Sequence, residues 1–300
     1  MADYGSIRVL CRGAYDLQKL RVSTGNRIAG NFRAKLGQKP GEKAEKDLSA
    51  EDVKMLKDLK KRYKLIATAV AKHPRAKKFP GDAVISSYAE HALVGEYLAM
   101  EKLEASNFRV LGLALLDVPI YQDFLEDVRG VGPAMAGVII SEIDITKARY
   151  VSSLWKYAGL DVAANGKGRS RQEDHLIMRE YTDKDGVVKE RKSITYNPFL
   201  KTKLVGVLGA SFLRAKSPYA DYYYSYKHRI ESDPAREKIK VWDKDNPTAW
   251  TPMRIHRAAI RYMVKRFLAD LYVAWRTVEG LPVAPDYHEA KLGHKHAIAA

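Results

Sequence analysis

The stretch Val128-Arg129-Gly130-Val131-Gly132-Pro133-Ala134-Met135-Ala136-Gly137-Val138-Ile139-Ile140-Ser141-Glu142-Ile143 places a tight glycine turn directly before an apolar helix. Backbone N–H groups left unpaired at such a helix start, together with the helix dipole, favour an anion of phosphate size. Pro133 falls near the first helical position, where its missing N–H costs nothing. The alternative is that Gly130 and Gly132 only let two helices cross closely. Around this turn the chain is strongly basic, with 52 Lys and Arg against 36 Asp and Glu and a formal charge of +16. Charge of that size in a chain that is 46% hydrophobic describes a folded polyanion binder rather than a basic tail.

Other signals narrow the class. Cys11 is the one cysteine, which excludes a disulfide framework and a cysteine zinc site and fits a reducing cytoplasm. No apolar run reaches the roughly 20 residues of a membrane helix, and Met1–Gly5 does not open a signal peptide. No membrane partner is expected.

Outward from the turn, the pattern is helical. A basic helix is predicted over residues 14–36, interrupted near Gly25-Asn26 and carrying Arg21, Arg27 and Arg33. Ser49-Ala50-Glu51-Asp52 opens a long helix whose apolar positions Val53, Leu56, Leu59, Tyr63, Ile66 and Val70 make one stripe. Lys57, Lys61 and Lys64 lie on its other face. A second helix over residues 83–105 turns Val84, Val94 and Leu98 inward. Together they read as an antiparallel hairpin: plain packing, or a dimerisation arm with Leu56, Leu59, Tyr63, Ile66, Val94 and Leu98 at the seam.

Later segments add a short helix ending at Gly159, a basic loop with Lys167, Arg169 and Arg171, and a β-hairpin pairing residues 178–182 with 187–191. Helix resumes near Pro198. A tyrosine-rich segment, residues 219–226, precedes another helix. Its Tyr223 and Tyr226, beside Lys227 and Arg229, suit stacking on unpaired bases or else roof the core. The last helix, residues 252–279, sets Arg254, Arg257, Arg261 and Lys265 within about 80° on the helical wheel. A separate apolar stripe through Ile260, Val264, Phe267 and Leu271 lies roughly 120° away. One face packs while its neighbour presents a line of cations to a phosphate backbone.

Catalytic signals are weak. Asp117, Glu126, Asp127, Glu142 and Asp144 lack the preceding strands that would bring carboxylates together on metals. His294, His296 and Asp286 lie in a ragged tail, and no metal or other cofactor is expected. Ser152, Ser153, Ser170 and Ser193 have no local His or Asp pattern that marks a nucleophile.

The Gly130-Val131-Gly132-Pro133 turn with Ala136, then Ser141-Glu142-Ile143, then Tyr157-Ala158-Gly159-Leu160, resembles the C-terminal domain of bridge-RNA-guided insertion-sequence transposases. The helices over residues 199–214 and 257–276 follow the same pattern. The turn and the preceding hairpin also resemble the Nop domain of box C/D guide-RNA particles. Two departures are expected: residues 1–36 are too short for the acidic nuclease domain of those transposases, and no serine follows the Ala-Gly-Leu before Ser170. A Nop-type binder without a nuclease is similar to the nuclease-free effectors of tandem interspaced guide RNA systems. That resemblance implies a guide RNA, double-stranded target DNA, a homodimer and no enzymatic activity.

The expected architecture is mainly α: a helical-hairpin, coiled-coil arm plus a Nop-like helical RNA-binding domain with a small β-hairpin. Its segments are residues 1–48, a basic helix and linker; 49–110, the arm; 111–281, the RNA-binding domain, where Gly130 and Gly132 seat a phosphate; and 282–300, a tail. The alternatives are a serine-dependent transposase or recombinase, and a non-specific helix-hairpin-helix DNA-binding protein.

Overall fold

The computed structural model describes residues 4–39, 48–73, 78–241, 243–246 and 248–285. It is mainly helical, with a small two-stranded antiparallel sheet. Two compact units divide the chain, Met1–Arg8 with Leu111–Ala300 and Val9–Val110.

In the unit Val9–Val110, helix α1 (Tyr4–Lys35) runs without the interruption expected at Gly25. A Cβ there would come within 3.1 Å of the Tyr97 ring, so the glycine permits a close helix approach instead of breaking the helix. Ser49 caps α2 (Ala50–Lys57) by accepting the Asp52 N–H. The single long helix expected here splits at Asp58, and α3 (Leu59–Lys72) follows. The second helix of the hairpin, α4 (Tyr88–Leu115), begins later than the sequence pattern implied. Val84 and Ile85 are buried from the preceding loop, which Asp82 closes by accepting both of their N–H groups.

This packing reassigns the expected dimer seam. Leu59, Tyr63, Ile66 and Val94 join Ile28, Phe32 and Tyr97 in one intrachain core, with Leu56 and Leu98 partly buried against it. Apolar spacing that fits a seam between two copies is thus used within a single chain. Arg21 is structural as well: it pairs with Glu104 at 2.6 Å and donates to the Tyr97 hydroxyl. Burial by itself would raise the Glu104 carboxyl, yet hydrogen bonds from Arg21 and Gln18 hold it below its ordinary range. Arg27, Lys57, Lys61 and Lys64 are exposed, whereas Arg33 is half-buried.

In the other unit, α5 (Pro133–Glu142) is buried from Met135 to Glu142. The turn before it packs on a helix. Gly130 has φ +103°, and a Cβ would sit 2.9 Å from Phe212 Cδ1, while the Ser211 hydroxyl donates to the Gly130 carbonyl. Helices α6 (Val151–Tyr157), α7 (Pro198–Lys201) and α8 (Gly209–Ala215) follow, the last two joined through a π-helical stretch over Thr202–Leu208. The tyrosine-rich segment is itself the helix α9 (Tyr219–Ser232) rather than its prelude. Tyrosines have adequate helix propensity when one face is buried, and α9 lies along α10 (Pro252–Val278). Phe267, Leu268, Leu271, Tyr272 and Trp275 of α10 are fully buried, so this helix is the spine of the unit. Strands β1 (Ile177–Thr182) and β2 (Val188–Ser193) pair with Thr182 opposite Val188, one residue later than expected, because Val187 joins the turn.

Candidate nucleic-acid interface

The line of cations on α10 lies along a cleft of about 630 Å³. Arg254, Arg257, Arg261 and Lys265 line it, and the basic loop adds Lys167 and Gly168. Tyr226 of α9 also lines it, and among the described residues no Asp or Glu does. Motifs nearly 100 residues apart in the chain therefore meet at one surface.

Local chemistry sets each wall. The loop closes as a miniature hairpin, with the Ala163 N–H donating to the Lys167 carbonyl at 2.8 Å and the Arg169 N–H to the Asp161 carbonyl at 3.0 Å. A Cβ on Gly168 would overlap the Arg261 guanidinium, so only glycine lets that cation lie against the loop backbone. Arg169 turns away from the cleft and binds the Asp161 carboxylate through Nε and Nη2, at 3.0 and 2.7 Å. Lys265 lies across the Trp155 ring at 5.0 Å. Arg254 donates to the Thr248 and Ala249 carbonyls and stacks on Trp250 at 4.6 Å, so it is anchored, while Arg257 is exposed.

Lys201, which the sequence pattern did not single out, donates to the Arg169 carbonyl behind the loop. Burial pushes its ammonium down to about 8, and the Arg261 charge adds to the fall. Burial also lowers Arg261, with Arg257 contributing, and lowers Lys265. Two half-buried cations, Lys201 and Lys265, thus feel the Asp161 carboxylate, which Arg169 already engages, while Arg261 is half-buried beside Arg257.

The tyrosines divide between the two roles open to them. Tyr223 is buried and its hydroxyl meets His256 Nδ1 at 2.8 Å; Tyr219 donates to Asp270 at 2.9 Å. Both roof the core. Tyr226 stacks on Tyr262 with centroids 4.8 Å apart, and Arg229 covers Tyr226 at 4.8 Å. Lys227 lies 3.8 Å from Glu231, a solvated helix pair. Gly130 and Gly132 do not line the cleft, and Arg171 belongs to a different surface beside the β-hairpin.

One expectation is corrected here. Ser170, which lines the cleft, does have a histidine: its hydroxyl lies 2.9 Å from His175 Nδ1. A single turn over Glu173–His175 folds the imidazole back, with Asn165 Nδ2 2.9 Å from Nε2. A serine and a histidine five residues apart carry no recognisable sequence signal, since only that turn brings them together. Among the described residues no group of three or more His, Cys, Asp or Glu is placed to hold a metal ion, and no helix is long and apolar enough to cross a membrane. The His294, His296 and Asp286 set lies outside the described residues. No protein-family model matches this chain, and no curated protein and no solved structure matches it either.

Proposed function

We propose that this protein binds a single strand of nucleic acid along the α10 cleft, and that the strand is a guide RNA whose base pairing selects double-stranded DNA without cutting it. The observation that carries the reading is the convergence of Lys167, Arg257, Arg261 and Lys265 on a cleft lined by no described carboxylate. Each cation that neutralises a phosphate releases counterions, and the stacked Tyr226–Tyr262 pair lies at the same surface. The guide and its DNA target rest on the motif resemblance, not on the cleft. The homodimer that goes with this reading forms through a surface other than the Leu59–Val94 core.

Sequencing the nucleic acid that co-purifies with the protein tests the reading. RNA of one uniform length is expected. Heterogeneous duplex DNA fragments without RNA would overturn it in favour of non-specific DNA binding.

A second reading, serine-dependent strand transfer, is favoured by the Ser170–His175 contact. There His175 would take the Ser170 proton as the oxygen attacks phosphorus and the strand's own hydroxyl leaves. Against it, the imidazole is buried and Nδ1 also accepts the Ser170 backbone N–H, as a loop-closing histidine does. RNA-loaded protein with Mg²⁺ and matched DNA is expected to give neither nicks nor a covalent adduct. An adduct lost in Ser170→Ala would establish the second reading.

Lys201 gives the cleft a pH signature. Its ammonium titrates near 8 in the free protein, and a phosphate held on Arg261 favours the charged form. Below pH 7.5 the proton is already present and RNA affinity is flat. Above 8, binding takes up a proton and affinity falls by up to about tenfold per pH unit. Fluorescence anisotropy from pH 6.5 to 9.5 at fixed ionic strength reads this directly. Lys201→Arg is expected to remove the slope; a slope unchanged in that variant would locate the titration elsewhere.

A further inference from the structure

The β1–β2 ribbon has no core of its own. Ile177, Met178 and Val188 are exposed, and neither face is covered by another element. Two strands with both faces in water are marginally stable unless something holds them. Their register also sets like charges directly opposite one another, Arg179 across from Arg191 and Glu180 across from Glu190. Paired like charges cost stability in a ribbon standing alone. Alternation puts the arginine pair on one face and the glutamate pair on the other.

The arginine face is chemically distinct. Arg191 stacks on Tyr181 at 4.8 Å, and Arg171 joins Arg179 and Arg191 around one open groove of about 770 Å³, which Glu180 and Lys192 also line, so cations outnumber the carboxylate there four to one. None of these three guanidinium groups has a hydrogen-bond or carboxylate partner among the described residues. Lys189 is held by Asp183 at 2.5 Å, and Lys192 is engaged by Glu173, so the lysines of the ribbon are neutralised while the arginines are left open.

We propose that the arginine face of this ribbon is a second nucleic-acid surface, separate from the α10 cleft, which lies in the major groove of double-stranded DNA. A phosphate between Arg179 and Arg191 converts their repulsion into a bridged contact. A two-stranded ribbon fits the roughly 12 Å major groove of B-form DNA, whereas the deep, narrow major groove of an RNA duplex excludes it. This inference deepens the proposed function by giving duplex DNA a site apart from the RNA strand, and it rests on that reading for the RNA alone.

The test compares the wild type with two variants, Arg171→Gln/Arg179→Gln/Arg191→Gln and Arg257→Gln/Arg261→Gln. Each is titrated with a 20-base-pair DNA duplex, an RNA duplex of equal length and a single-stranded RNA, across a salt series. Removing the arginine pair relieves the cross-strand repulsion, so the ribbon variant is expected to fold, as circular dichroism would verify. It is expected to bind duplex DNA roughly tenfold or more weakly, with a salt slope flatter by about two to three units, and to bind single-stranded RNA as before. Unchanged duplex DNA affinity, or a wild type that binds no duplex DNA, would overturn the ribbon proposal and leave the cleft reading intact. An equal loss on the RNA duplex would overturn the major-groove assignment. A wild type that binds duplex DNA through the ribbon but no single-stranded RNA would overturn the cleft reading alone.

Discussion

Replacing Arg257, Arg261 and Lys265 together with glutamine is expected to abolish tight RNA binding while leaving the fold in place. The salt dependence of binding measures how many phosphates are neutralised, at a slope of about −0.7 per contact on a single strand. Losing three contacts flattens it by about two units. At 0.1 M salt, affinity falls by two orders of magnitude or more, since each desolvated charge-assisted contact contributes about 1.5–3 kcal/mol. The fold survives because these side chains leave the apolar stripe of α10 untouched, and removing half-buried cations that repel one another relieves strain on it. Anisotropy titrations between 50 and 300 mM salt, with thermal melts alongside, check both halves. If affinity and slope both persist, the cleft does not hold the strand.

A loss of stability of comparable size is expected at a position remote in sequence from that cleft. Arg21→Met leaves the Glu104 carboxylate, only 10% exposed, without its cation. Breaking one partner of a buried pair costs about 3–5 kcal/mol, a large fraction of what holds a domain together. Adding Glu104→Gln to that variant removes the unpaired charge and recovers most of the loss. Urea unfolding of the whole chain measures both. The pH dependence follows from sign. Glu104 is held below its ordinary 4.5, so its contribution is present above that pH and lost as acid protonates the folded state. The wild type is therefore expected to lose stability on going from pH 5 to 3 more steeply than the double variant. Equal acid profiles would show that the pair contributes nothing.

What was legible in the sequence was whatever one helix or one turn encodes alone. The α10 wheel separates cations from core, and the structure keeps them separate. The glycine turn, the end of the short helix at Gly159 and the β-hairpin also follow local rules. What could not be read was which surface an apolar stripe meets. Leu59, Tyr63 and Ile66 have the same spacing whether they face a second copy or Ile28 and Phe32 of the same chain. Gly130 could not be assigned for the same reason, because its neighbour Phe212 lies about 80 residues away. Lys201 gave no signal at all: its chemistry comes from Arg169 and Arg261, which only the folded loop sets around it. Tyr226 and Tyr223 differ by less than one helical turn, and only the packing of α9 on α10 puts one at the cleft and the other in the core.

Because α10 is at once the spine of its unit and one wall of the cleft, binding and folding share one rotational register. Each residue advances a helix by 100°, so a single insertion between Arg254 and Lys265 would carry Lys265 toward the core and swing Phe267 toward water. Substitutions along this helix can be absorbed side chain by side chain. A change in its length cannot. The packing of the face behind the cations thus fixes the spacing of this segment, whatever the individual side chains along it.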